Sequence, residues 1–298
     1  MSAALLTITG LSAASGRDNA LPILRHVSLA LQRGEVHGLV GESGAGKSTI
    51  ARAILGILPD GIRVTAGKIE LAGHDLLGLA PRERRRRLGA EVALIPQDPL
   101  TALNPGRRIE AQLVDGLTLW RGLSFRAARQ RALLLLEEVQ MREPERVMRA
   151  YPHELSGGMR QRVLIAAAFA LEPKLVIADE PTTALDVTVQ KQILRLIRTM
   201  QERHGTGVVF VTHDLGVVAQ ICDHATLLYM GKVMEQGPVA SLIEAPRHPY
   251  ARALMAACPR YDRPGQVLEP VPESVFVACR SEIAAFDREE AAHGQAIG

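Results

Sequence analysis

The stretch Val36-His-Gly-Leu-Val40-Gly41-Glu42-Ser43-Gly44-Ala45-Gly46-Lys47-Ser48-Thr49-Ile-Ala-Arg-Ala-Ile-Leu55 decides the fold. Its first five residues form an apolar run of strand length, and Lys47 to Leu58 carries helical periodicity. Between them Gly41 to Ser48 fits G-x-x-x-x-G-K-[ST], a spacing that chance supplies about once in a hundred chains of this length. Strand, glycine turn and helix follow in the order that turns loop N–H groups inward around a phosphate and adds the positive end of a helix. Gly41 through Thr49 are therefore candidate nucleotide contacts, with Lys47 reaching the β- and γ-phosphates of ATP and Ser48 ligating Mg²⁺.

Working outward, Leu5–Leu11 reads as a strand, Gly16–Asn19 as a turn, and Ile23–Leu31 as a half-buried antiparallel strand. Leu175–Ala178 and Val208–Thr212 are continuously apolar and rich in branched residues, as parallel strands buried on both faces are. Ligands in open α/β sheets bind at the carboxyl ends of strands, so the polar residues after these two runs should converge on the turn after Val40. Residues 106–172 switch to helical periodicity, clearest at Phe125–Val139 and Val163–Leu171, and read as an inserted helical subdomain. From about residue 237 prolines accumulate, which sets a domain of residues 1–236 apart from a short extension, 237–298, whose last stretch, Asp287–Gly298, is expected to be mobile.

Composition narrows the class. The chain has 298 residues, 47% of them hydrophobic, enough for a large core. Thirty-five basic residues against 32 acidic ones are too balanced for a chain that binds polyanions over its whole surface. Val163–Leu171 is the longest apolar run, well short of the roughly 20 residues that cross a bilayer as a helix. The apolar start lacks the basic residues of a signal peptide. Cys222, Cys258 and Cys279 are too few and too scattered for a disulfide framework or a zinc site. The basic run Arg82–Arg87 has no interleaved aromatic residues and reads as a solvated helix face, and Trp120 as a packing residue.

Two further stretches carry chemistry. Leu175–Ala178 runs directly into Asp179-Glu180, placing adjacent carboxylates at the end of a strand that should face the phosphate loop. Asp179 would hold Mg²⁺ and Glu180 would act as general base on the attacking water; alone, Asp-Glu-Pro181 also suits the start of a helix. Ser156-Gly157-Gly158 precedes the helix through Leu171, so Ser156 reads as its N-cap and the tip as a second phosphate-binding helix terminus.

With Leu155-Ser-Gly-Gly-Met159 following a phosphate loop, the chain resembles the ABC ATPase family, whose signature motif acts in trans on the ATP site of a partner subunit. The resemblance implies an α/β phosphate-loop NTPase with a mainly parallel sheet core, an antiparallel β subdomain, the helical insertion and the C-terminal extension. It further implies that Gln97 senses Mg²⁺ and links the site to a membrane partner, that Ala184-Leu185-Asp186 crosses to the other subunit, and that His213 contacts the γ-phosphate. Gln97-Asp-Pro-Leu-Thr-Ala-Leu-Asn-Pro105, Tyr151-Pro-His-Glu-Leu-Ser156, Asp179-Glu-Pro-Thr-Thr-Ala-Leu-Asp-Val187 and Arg247-His-Pro-Tyr250 are similar to the peptide and nickel importers of bacteria. Such a protein would sit peripherally on the cytoplasmic face of the inner membrane. Its partners would be two transmembrane permease subunits, a second ATPase subunit, more in keeping with a paralogue than with an identical copy, and indirectly an extracytoplasmic solute-binding protein. No nucleic acid is expected, although soluble ABC ATPases that act on ribosomes or DNA are the rival class; they usually carry two cassettes or a long coiled coil, which this chain lacks.

Two departures stand out. Residues 1–46 contain no Phe, Tyr or Trp to stack on adenine, so the base must rest on something else, with Leu21 or its neighbours the candidates. The tail keeps only Cys258 and Cys279, too few for the four-thiolate iron-sulfur site found in many relatives.

Overall fold

The computed structural model describes residues 4–16, 21–183, 185–257 and 270–296. Arg17–Asn19 of the expected turn, Ala184 and Cys258 lie outside the described residues.

Strand β1 (Leu6–Ser15), strand β2 (Leu21–Leu31) and strand β3 (Val36–Val40) lead to helix α1 (Lys47–Leu55), which stops three residues before the sequence suggests because Gly56 takes a left-handed cap. Next come β4 (Ile62–Leu71), β5 (His74–Asp75), α2 (Pro81–Glu91), β6 (Val92–Ile95) and the short α3 (Pro99–Ala102). The helical insertion comprises α4 (Ile109–Arg121), α5 (Phe125–Glu138), α6 (Pro144–Arg149) and α7 (Gly157–Ala170). The chain then alternates β7 (Leu175–Asp179), α8 (Val187–His204), β8 (Gly207–Thr212), α9 (Leu215–Ile221) and β9 (His224–Tyr229). It closes with β10 (Lys232–Pro238), α10 (Val239–Glu244), α11 (Pro249–Ala257) and α12 (Glu273–Ala296).

Two sheets result. The larger has the order β10-β9-β3-β8-β7-β6, parallel from β9 to β6 with β10 added antiparallel, and the smaller is the antiparallel β2-β1-β4-β5. The fold class read from the sequence is thus the observed one. Period-2 alternation explains why the central strands read as continuous apolar runs. Val176, Ala178, Val208 and Phe210 join the core shared with α4, α5, α7 and α8, while Leu175, Ile177, Val209 and Val211 join the core shared with α1 and the small sheet. Burying a residue such as Phe210 contributes about 2–3 kcal/mol.

The tail carries a helix that the sequence did not suggest: in α12, Val275, Phe276, Cys279 and Ile283 form an apolar stripe that packs on Tyr229, Met234 and Tyr250. Arg82–Arg87 lie on the first turns of α2, largely exposed, with Leu88 making the inward contact. Trp120, at 45% exposure, lays its ring over Gly89, where a methyl group would come within 2.7 Å. No helix among the described residues is long and apolar enough to cross a membrane.

Candidate functional site

A cavity of about 910 Å³ opens at the carboxyl ends of β3 and β8, lined by Gly41 through Thr49 together with Gln97, Glu180, Thr183 and His213. The loop wraps tightly because of two glycines. Gly46 is left-handed, φ 96°, and a Cβ there would lie 2.7 Å from the Leu24 side chain; one at Gly41 would lie 2.2 Å from the Leu228 carbonyl oxygen. Helix α1 starts directly behind the loop with no capping side chain and no acidic residue in its first turn, so its first amides are free for an anion. Lys47 is buried and donates to the carbonyls of Gly41 and Glu42 at 2.7 and 2.8 Å. Burial lowers its pKa, an effect opposed by the nearby carboxylates of Glu180, Asp179 and Glu42.

The two carboxylates separate as adjacent strand-end residues should. Asp179 accepts from Ser48 Oγ at 3.3 Å, while Glu180 turns into the cavity. There Gln97 Nε2 (3.2 Å) and Thr183 Oγ1 (3.0 Å) donate to Glu180 Oε2, and His213 Nδ1 lies 3.3 Å from Oε1. A carboxylate only accepts, so in this contact His213 donates from Nδ1. Glu180 itself is left-handed, φ 46°, immediately before Pro181, a position where a non-glycine backbone costs about 1–3 kcal/mol.

Burial, followed by the Glu180 charge, pushes the Asp179 carboxyl above its usual range, against the Ser48 hydrogen bond and the Arg52 and Lys47 charges. A divalent cation fits this arrangement, since the oxygens of Ser48, Asp179 and Gln97 are hard donors and a cation would relieve the crowded negative charge. Among the described residues no group of three or more His, Cys, Asp and Glu could hold a metal on its own. The raised pKa fixes a sign: a folded carboxyl that prefers its proton costs stability when ionised, so this group disfavours the fold above its folded pKa and ceases to as pH falls through it. Asp179→Asn should therefore raise the melting temperature at pH 7 by about 2 °C while sharply reducing Mg²⁺-dependent hydrolysis. A variant melting several degrees lower would contradict that account of the buried charge.

Some residues singled out in the sequence stay outside this cavity. Ser156 caps α7, accepting from the Met159 amide at 3.3 Å, and Ser156 and Gly157 are exposed at the helix tip without lining the cavity. Asp186 caps α8 through the amides of Thr188 and Val189, both at 3.0 Å, also away from the cavity lining. Gly157 has open space where a side chain would go, so nothing in the described residues demands a glycine there; at Gly158 a Cβ would touch Val189 at 3.4 Å.

Besides Val40 at the end of β3, sequence reasoning missed four lining residues. Thr183 lay inside a quoted motif but had no assigned role. Ile23, Leu215 and Leu254 are aliphatic, and only the fold brings them to the cavity wall. Ile23 lies on the strand that starts at Leu21, the region proposed to replace the missing aromatic.

Comparison with known proteins gives consistent findings. A family model described as ABC transporter matches residues 24–183, and one described as oligopeptide/dipeptide transporter, C-terminal region, matches residues 234–281. The chain is 50% identical over 261 residues to the probable D,D-dipeptide transport ATP-binding protein DdpD of Escherichia coli, covering 87% of this chain and 80% of that one. It is 42% identical over 255 residues to the oligopeptide transport ATP-binding protein OppD of Salmonella typhimurium, covering 86% and 76%. Among solved structures, cbiO1 from Clostridium perfringens, part of the ABC transporter complex cbiONQ, aligns with TM-score 0.72 at 26% identity over 82% of this chain and 92% of that one. The dimeric ATP-binding cassette MJ0796 bound to ADP and Pi aligns with TM-score 0.68 at 28% identity, covering 78% and 98%.

Proposed function

The chain belongs to the ABC transporter family, and from that membership we propose that it is the ATP-binding, ATP-hydrolysing subunit of a bacterial importer for di- and oligopeptides. The observation that carries the ATPase is the single cavity in which the phosphate loop, Gln97, Glu180 and His213 meet. A peptide cargo is favoured over nickel by the match of residues 234–281 to a region named for oligopeptide and dipeptide transporters.

In this reading the triphosphate of ATP lies along Gly41–Ser48, with Lys47 on its β- and γ-phosphates. Ser48 and Asp179, with Gln97 as a further oxygen donor, would hold Mg²⁺, which when bound neutralises charge on the phosphate oxygens. Glu180 takes the proton of the attacking water, and Gln97, Thr183 and His213 hold its carboxylate toward the γ-phosphate. His213 presents Nε2 to that phosphate. The adenine rests on aliphatic surface that includes Ile23.

Ser156, Gly157 and Gly158 act on a second ATPase subunit, a paralogue, and Asp186 lies in the loop that crosses to it. The side-chain space left open at Gly157 supports this, because a glycine its own fold does not need is explained by a neighbour that must approach the helix tip closely. Two permease subunits dock beside Gln97, where Leu100 of α3 is 61% exposed, and keep the chain on the cytoplasmic face of the inner membrane. A solute-binding protein delivers cargo from the other side.

Reconstitution of the four-subunit transporter in vesicles tests the proposal. Peptide-loaded binding protein should stimulate Mg²⁺-dependent ATP hydrolysis. Stimulation by nickel and by no peptide would overturn the cargo, and absence of any hydrolysis would overturn the ATPase.

A further inference from the structure

The Arg247-His248-Pro249-Tyr250 motif has no part in the chemistry above, and its contacts fasten α11 to β10 and α12. The amides of Arg247 and His248 donate to the Glu235 carboxylate of β10 at 2.8–3.0 Å. His248 Nδ1 accepts from the Tyr250 amide at 3.1 Å, which places the proton on Nε2, and Nε2 reaches Glu282 of α12 at 3.1 Å. Tyr250 is fully buried, its ring 5.2 Å from Tyr229 and 6.4 Å from Phe276. Its hydroxyl is buried without a hydrogen-bond partner among the described residues. One turn along α11, on the same face, Leu254 lines the nucleotide cavity itself.

A second route joins the same parts. The turn between β9 and β10 donates the Gly231 amide to the Ala45 carbonyl of the phosphate loop at 3.0 Å. The Arg25 guanidinium of β2 donates to the Met230 carbonyl of that turn at 2.5 Å and to Asp287 of α12 at 2.7 and 3.0 Å. Lys232, just after the turn, pairs with Glu282 of α12 at 2.8 Å. The C-terminal helices thus grip the hairpin that braces the loop.

We infer that the C-terminal extension is a wall and brace of the nucleotide site, with Glu282 of α12 the positioning residue that holds the β9–β10 hairpin behind Ala45 and Leu254 a nucleotide-facing residue that sets affinity for ATP. The inference rests on the ATPase reading above. Glu282→Gln in the full chain should melt within about 2 °C of the unmutated temperature, because an exposed ion pair contributes little to stability, yet bind Mg·ATP about 3-fold more weakly, with KM rising in parallel and kcat little changed. Leu254→Glu should weaken both Mg·ATP and inorganic tripolyphosphate at least about tenfold at low salt, an effect that salt reduces. Folded variants that both bind within twofold of the unmutated chain would overturn the inference alone. Failure of the unmutated chain to bind Mg·ATP would instead overturn the ATPase reading, and this inference with it.

Discussion

Glu180→Gln is expected to keep nucleotide affinity and lose turnover by about 10²-fold or more, the loss that follows removal of a general base. The glutamine matches glutamate in shape and can still accept from Gln97 or Thr183 through its carbonyl oxygen, so the cavity keeps its form. What disappears is the second anionic oxygen, the one beside His213, and with it the cavity-facing carboxylate that takes a proton from water. ATP should therefore accumulate unhydrolysed between the paired subunits, visible as a Mg·ATP-dependent shift to the larger species in light scattering. Near-normal phosphate release by that variant would reassign the base.

The second large effect is expected from Ser156→Arg. In its own protomer the change removes an exposed helix cap, which costs about 1 kcal/mol and leaves the chain folded. Across the interface it replaces a small hydroxyl at the tip of α7 by a long cation where a γ-phosphate and its ordered donors must fit, and loss of such preorganised contacts lowers hydrolysis about 10²-fold. The contrast with Glu180→Gln lies in pairing: nucleotide still binds the isolated Ser156→Arg chain, but the closed dimer should not form. Wild-type hydrolysis by the assembled transporter carrying this change would mean that the helix tip is remote from nucleotide.

Much of this was readable before any coordinates. The phosphate loop, the strand ending in Asp179-Glu180 and the strand ending before His213 are local patterns, and parallel pairing of β7 with β8 and β8 with β3 follows from their two-sided burial. Strand β4 was not legible, because Gly67 crosses the chain at Gly10, where a Cβ would lie 2.5 Å from the Gly10 carbonyl oxygen, and most of the strand is exposed. Helix α12 was hidden behind the proline-rich approach to it, although Val275, Phe276, Cys279 and Ile283 already carried the helical stripe. Leu254 and Ile23 could not be found as site residues, since an aliphatic side chain has no local signature and acquires its role only from what the fold sets opposite it.

The left-handed backbone at Glu180 bears on how such a protein can change over time. A glycine at this position would relax the conformation and a glutamate is held in it at a cost, so heat resistance and chemistry pull position 180 in opposite directions. In a library selected for survival at high temperature alone, with no demand for transport, glycine should spread at this position early, and lineages would become sturdier as they fell silent.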